Sequence, residues 1–513
     1  MKRGCLIFLT AVLSLLLCTN VGAASLDSKI TIIQAKYDNL KGFSSSDYDI
    51  NDNNLPLLKF QKGEKYGVLN KDGVIIVDAI YDDIWDYFHG FIIVTKENKV
   101  GFIDENGKKI TDIKYDMYGV GNFFEGLARV EFNGKWGFID TTGEEVIPLK
   151  YDDVFNFVDG VAPVCVNGKW GLINKTGKEI LAPKYAQIGY EAEGIGTLIS
   201  FRGGIAQVKD FNNKWGYIDE AGKEVVKPQF DEAYDYRDGF APFVKNKKVG
   251  LATKDGVVLN PIYDNIYDFG RNDITFFSQG KKLGLINKNM TVLAKPQFDA
   301  AGTISADGYI KVKKGNKYGF INKNGKEIIK PQYDGAGTFC YGLAPVVIKG
   351  KIGYINIKNK LVIPAQFEIM KDQNSNENFE FGTAVVLKGG KYGIIDKNGK
   401  YLTNPKYDSI EHSYENQLYI VKEKGKFGIL DKKGTVILNP NFTRIQVVKN
   451  VICAEANGLS KLFGLDGKAI TQQSYKNMTP CYSDSREFEI FTFDNNGKKS
   501  AIIYKMEHNF SKN

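Results

Sequence analysis

The sequence is poor in the side chains most catalytic centres use. Histidine occurs three times in 513 residues, as His89, His412 and His508, far apart and at no matching positions. A Ser–His–Asp arrangement or a His-rich zinc site has little to build from, so the three are read as surface or packing residues. Of six cysteines, Cys5 and Cys18 lie in an N-terminal leader, while Cys165, Cys340, Cys453 and Cys481 are scattered without a CxxC pair. They are read as buried thiols, with Cys453–Cys481 the best disulfide candidate because an exported chain meets oxidising conditions. Arginine is scarce, and the lysines are spread over turns such as Asn324-Gly325-Lys326. A nucleic-acid tract would cluster them on one element, so the basic balance is read as a solvated surface. Helical periodicity is hard to find. After residue 23 no apolar run approaches the ~20 residues of a spanning helix.

What is present is a short leader and a repeat. Lys2 and Arg3 precede an apolar run from Leu6 to Leu17, and Val21-Gly22-Ala23 follows. That is the order of a secretory signal, so a mature N-terminus at Ala24 is expected. Cys18 makes a poor lipoprotein site because Leu17 precedes it. Losing Lys2 and Arg3 lowers the formal net charge from +8 to +6.

The repeat is anchored on a Gly that follows a large apolar or aromatic residue: Gly67, Gly101, Gly137, Gly171, Gly216, Gly250, Gly284, Gly319, Gly353, Gly393 and Gly428. Most spacings are 34 to 36 residues, with longer ones after Gly171 and Gly353. A Pro falls 11 or 12 residues after most anchors, as in Pro148, Pro183, Pro228 and Pro331. An aromatic-Asp pair follows, as in Tyr151-Asp152, Phe230-Asp231, Tyr263-Asp264 and Phe298-Asp299. Degenerate copies lie near Gly464 and Ala501. A fixed period of this length marks a repeat architecture.

The matching segments include GKWGFIDTTGEEVIPLKYDDV, NKWGYIDEAGKEVVKPQFDEA and NKYGFINKNGKEIIKPQYDGA. This pattern resembles the WG (KWG) repeat family of bacterial proteins, over roughly residues 60–450. The family is defined by its repeat, so the resemblance implies no activity, cofactor or catalytic residue.

Runs of four to six β-formers bounded by Asn, Asp, Gly or Pro read as short strands. The chain is therefore expected to be all-β, a tandem array of about 12 short-strand units of roughly 34 residues, elongated or superhelical. The alternative is one or two propeller-like rings. Residues 1–23 are assigned to a signal peptide, 24–66 to a partial N-terminal repeat or cap, 67–463 to the array, and 464–513 to degenerate C-terminal repeats. Within one unit, strands are expected at Lys135–Asp140, Glu144–Ile147 and Val161–Val166. Asp140-Thr141-Thr142-Gly143 is a tight turn, and Pro148 ends the second strand. Pro163 makes the third strand an edge, or one that pairs only beyond its Pro. Trp136 is expected to be buried, and Gly137 to receive a neighbouring ring of the Tyr151 type. Asp152 is expected to bond a nearby backbone N–H. Ile30–Ile33, Tyr37-Asp38 and Leu57–Phe60 read as a unit lacking its first strand. Lys499–Tyr504 reads as a first strand with no unit after it, and a ring would pair the two.

No catalytic, cofactor-binding or metal-ligating residue is assigned. The Asp of the aromatic-Asp pairs recurs too often to be catalytic, and turns such as Asp104-Glu105-Asn106-Gly107 lack the ligand spacing of a calcium loop. The longer units, around Gly189–Gly204 and Asp372–Phe381, place insertions where repeat proteins carry surface loops. The expected function is a secreted or cell-envelope, non-enzymatic repeat protein. It offers an extended surface to an unknown protein or cell-envelope glycan, without nucleic acid or a transmembrane segment. The alternative is a glycan-processing hydrolase with paired carboxylates.

Overall fold

A computed structural model describes residues 24–27, 30–43, 57–88, 90–191, 198–199, 201–270, 272–370, 378–414, 416–481, 488–495 and 498–505. The expected signal peptide, His89, His508 and parts of both insertions lie outside them. The described chain is built from strands and turns with no helix. It divides into two compact units, one of residues 1–118 and 446–513 and one of residues 119–445.

The repeat is structural. Its first strand is Lys135–Asp140 and its third is Val161–Val166, as expected. Between them the turn closes on Asp140, whose Oδ1 accepts from the Thr142 and Glu144 amides at 2.8 and 3.0 Å. Gly143 takes φ 87° there, a conformation open to glycine. The sheets of the array draw their strands across a repeat boundary, apart from the small pair Tyr190–Glu191 and Leu198–Ile199. Asp153–Val154 and Val161–Val166 of one unit are followed by Lys169–Asn174 and Glu179–Tyr185 of the next. The two-residue strand pairs only with Val164 and Cys165, beyond Pro163. The third strand nevertheless pairs along its whole length on its other side, with Pro163 opposite Leu172.

Two expectations are corrected. The second strand runs Glu145–Tyr151, straight through Pro148. It is the outermost strand of its sheet, and an edge position tolerates a missing N–H. Phe138 pairs with Ile147 and Trp136 with Tyr151, so the three residues 148–150 bulge over the single Gly137. A Cβ added to Gly137 would overlap the Ile147 carbonyl oxygen and stand 2.8 Å from the Pro148 carbonyl. The glycine therefore makes room for backbone and not for a Tyr151-type ring. Only at copies such as Gly67, Gly250 and Gly284 does a ring also press there, and it comes from the third strand as Phe60, Phe243 or Phe277. The same bulge recurs at Gly171, Gly216, Gly319 and Gly428. The second correction concerns Trp136, which is only half-buried, with the Arg129 guanidinium over its ring at 5.2 Å. Phe138 and Ile139, beyond the glycine, are wholly buried.

The core lies between successive sheets. Phe138, Ile147 and Tyr151 of one sheet pack on Val154, Phe157, Val164 and Ile173 of the next. No unit buries its apolar faces alone, which makes stability a nearest-neighbour property. The recurrent Asp supplies a polar counterpart. Asp152 accepts from Lys135 Nζ of its own unit at 2.6 Å and from the amide of Asn167, in the hairpin opening the next unit, at 2.5 Å. Asp231 joins Lys214 to Asn246, Asp264 joins Lys248 to Gly280, and Asp299 joins Lys282 to Gly315 in the same way. Each Asp is thus a staple across a repeat boundary.

In the unit formed by residues 1–118 and 446–513, the two ends of the chain share a sheet. Ile30–Tyr37 pairs antiparallel with Lys498–Lys505, which pairs in turn with Phe488–Asn495. Tyr37 stands opposite Lys499, as Tyr151 stands opposite Trp136. Asp38 accepts from Lys498 Nζ and from the Gly63 amide, which reproduces the staple. The C-terminal strand therefore fills the first-strand place that the N-terminal unit lacks.

Candidate functional site

Among the described residues, those singled out for their chemistry are not brought together. Cys165 and Cys453 are buried and Cys340 half-buried, each in a different part of the array. Burial pushes the Cys165 and Cys340 thiols up, away from the thiolate that reactivity requires. The Cys481 side chain lies outside the described residues. His412 belongs to the strand Ser409–Ser413 and is wedged between Tyr414 and Tyr419, with ring centroids 5.4 and 4.9 Å away. Its ring nitrogens have no hydrogen-bond partner, although Glu380 Oε2 lies 3.7 Å from Nδ1. Burial drives its pKa down to about 4, so it is a neutral packing residue. Asp104 accepts from the Asn106 and Lys108 amides at 2.9 and 2.8 Å, which is turn chemistry. Among the described residues no three His, Cys, Asp or Glu are grouped to hold a metal ion.

The concave surface lies elsewhere, within residues 119–445. Between the staple Asp and the turn before the third strand, each unit has a short irregular segment. In two successive units it reads Tyr234-Asp235-Tyr236 and Tyr267-Asp268-Phe269. These segments wall a cleft of about 690 Å³, floored by Trp215, Pro242 and Leu251. The second segment also walls a cleft of about 330 Å³, whose far side is Gly302, Thr303 and Ile304 of the following unit. Tyr267, Asp268 and Phe269 are common to both.

Buried hydroxyls hold the walls. Tyr217 donates to the Tyr234 and Pro242 carbonyls at 3.1 and 2.8 Å, and burial raises its pKa far above that of a free phenol. In the next unit Thr275 donates to the Tyr267 and Asp268 carbonyls at 2.9 and 3.0 Å. The two units are clamped at the base. Phe240 packs on Phe269 with ring centroids 5.1 Å apart, and the Gly270 amide donates to Asp238 at 2.6 Å.

Two features separate this groove from ordinary surface. Tyr234 and Tyr267 are 48% and 49% exposed although their backbones are fixed. The Asp235 side chain is only 8% exposed, its Oδ2 has no hydrogen bond, and the nearest cation is Arg237 Nη2 at 3.8 Å. A buried carboxylate is costly unless paired, and the Arg237 guanidinium is the charge that offsets this one. Exposed rings beside a few convergent polar groups form a general small-ligand or oligomer site. Sequence reading missed it because neither triplet belongs to the recurrent motif. The available signal was a position held by aromatic-Asp-aromatic in two successive copies and by Gly302-Thr303-Ile304 in the third.

A family model described as a WG containing repeat matches ten segments, residues 66–99, 101–136, 136–170, 170–197, 215–248, 253–282, 284–318, 318–351, 352–392 and 392–427. No curated protein matches at a significant level. Among solved structures, a eukaryotic initiation factor is similar at TM-score 0.29 and 11% identity, over 60% of this chain and 94% of that one. PorZ, a surface component of the type-IX secretion system of Porphyromonas gingivalis, is similar at TM-score 0.22 and 9% identity, over 95% of this chain and 86% of that one. The extracellular domain of a putative one component system from B. thetaiotaomicron is similar at TM-score 0.21 and 11% identity, over 93% and 78%. At scores this low none of them informs the architecture or the function of this chain.

Proposed function

Because this chain belongs to the WG-repeat family, which is defined by its repeat and brings no catalytic residue with it, we propose that it is a non-enzymatic binding protein. Its place is outside the cytoplasm, secreted or in the cell envelope, and its ligand is an envelope glycan or protein. The observation that carries the reading is the groove lined by Tyr234 and Tyr267, whose rings stay exposed. The signal-like order of residues 1–23 supports export.

One observation keeps the hydrolase reading in play: Asp235 and Asp268 line the same cleft, and a carboxylate pair is what glycoside hydrolysis needs. A single experiment separates the two. The exported protein, sequenced at its N-terminus, is incubated with bacterial envelope glycan and with envelope protein extract. The proposal expects an N-terminus at Ala24, co-sedimentation with one fraction, and loss of it in Tyr267→Ala. Release of soluble sugar that disappears in both Asp235→Asn and Asp268→Asn makes the protein a hydrolase. Recovery of Met1 on a cytoplasmic protein, or no binding to either fraction, overturns the proposal.

A further inference from the structure

The two clefts share the partition Tyr267-Asp268-Phe269 and lie between three successive repeats. Building on the binding reading above, we propose that they are consecutive subsites of one groove that takes a single linear chain of neutral pyranose sugars, each repeat boundary contributing a subsite. Tyr234 and Tyr267 each stand three residues after a staple, Asp231 and Asp264, and each is followed by a carboxylate. The ring-and-carboxylate pair thus falls at the same place in two successive repeats.

The chemistry of the groove selects the ligand. An exposed tyrosine ring offers a flat apolar face with a polar rim, which matches a pyranose with its apolar C–H face and equatorial hydroxyls. Gln207 and Asn265, also on the walls, can both donate and accept. An anionic polymer would meet Asp235 and Asp268, with Arg237 already beside Asp235. An extended peptide would seek a sheet edge, but the edge strands at the groove are the two-residue Glu232–Ala233 and Asn265–Ile266. They leave little ladder to extend. Each cleft falls in the ~300–1,000 Å³ range of ligand sites.

The test is calorimetric titration of the whole chain with disaccharides and hexasaccharides of β-1,4-glucose, α-1,4-glucose and β-1,4-N-acetylglucosamine. For at least one series the hexasaccharide should bind ten times more tightly than the disaccharide, since the longer chain can occupy both clefts at once. Tyr267→Ala should abolish that gain, and Tyr267→Phe, which keeps the ring, should restore most of it. Tyr234→Ala should weaken disaccharide and hexasaccharide by a similar factor, because Tyr234 lines the first cleft alone. Circular dichroism and melting of the variants confirm folding. Binding by none of the hexasaccharides, or equal affinity for two and six units, or a length gain that survives Tyr267→Ala overturns the subsite proposal. If the protein still sediments with envelope protein, the broader binding reading stands without it.

Discussion

Trp136 gives the repeat its sequence signature, yet Phe138 two residues on carries more of its burial. Truncating a fully buried Phe costs ~3–5 kcal/mol, so Phe138→Ala should destabilise its unit by that order. Trp136→Ala, whose ring is only partly buried at the rim of the core around Phe138 with Arg129 over it, should cost less. Gly137→Val forces a branched side chain into the Ile147 and Pro148 backbone, and overpacking of that kind costs ~1–3 kcal/mol or more. Hydrogen exchange on the three variants checks the order, and a Trp136→Ala loss larger than that of Phe138→Ala would refute it. His412 makes a second residue-scale prediction. Its folded pKa of about 4 lies below the unfolded value near 6.5. The unfolded state therefore binds the extra proton as pH falls from ~6.5 to ~4. The stability tied to its neutral form is complete above that window and lost across it, by roughly 3 kcal/mol at ~1.4 kcal/mol per pKa unit. His412→Phe should keep the contacts with Tyr414 and Tyr419 and flatten the urea midpoint between pH 6.5 and 4.

At the level of the element, the staple aspartate does for the repeat boundary what a turn does within a hairpin. Lys135, and then the Asn167 amide, hold the Asp152 carboxyl below the usual carboxylate range. Lysine and backbone partners do the same for Asp82, Asp231, Asp264, Asp299 and Asp408. These are depressed acids, so their stabilisation is present above the unfolded pKa near 4 and is lost as pH falls through the folded values. A stability curve falling below pH ~4, with Asp152→Ala raising exchange first in the hairpin at Asn167, is the expected outcome. A midpoint that is flat from pH 5 to 2 would remove the staple from the account. Much of this element was legible beforehand. The period, the strands Lys135–Asp140 and Val161–Val166, the turn on Asp140 and the architectural Asp follow from local patterning. The strand through Pro148 did not, because whether a proline breaks a ladder depends on which strand is outermost, a tertiary fact. The groove was hidden for a related reason. Tyr234 and Tyr267 are ordinary aromatics in sequence, and only the packing of one repeat on the next leaves their rings exposed.

On the scale of the whole molecule, the sharing of one sheet by the two ends matters most. Ile33 and Leu40 share a core with Ile490, Ala501 and Ile503. Ending the chain before Lys498 would open the edge of Ile30–Tyr37 and take Ala501 and Ile503 out of that core. Exchange protection should collapse in the unit formed by residues 1–118 and 446–513 while persisting in residues 119–445, as nearest-neighbour coupling requires. Protection retained at Ile30–Tyr37 in the truncated protein would mean that the strand holds without its partner.

The same pairing sets an order of events during synthesis. Asp38 leaves the ribosome 460 residues ahead of Lys498. At ~5–20 residues per second that is a wait on the order of half a minute to a minute and a half. Through that interval Ile30–Tyr37 is an apolar strand without its principal partner, open to any other edge it meets. The repeats between can fold as they emerge, but the N-terminal unit is finished only once Lys498–Lys505 has been made. A factor that shields this strand until the chain is complete would act on yield and leave the stability of the finished protein untouched.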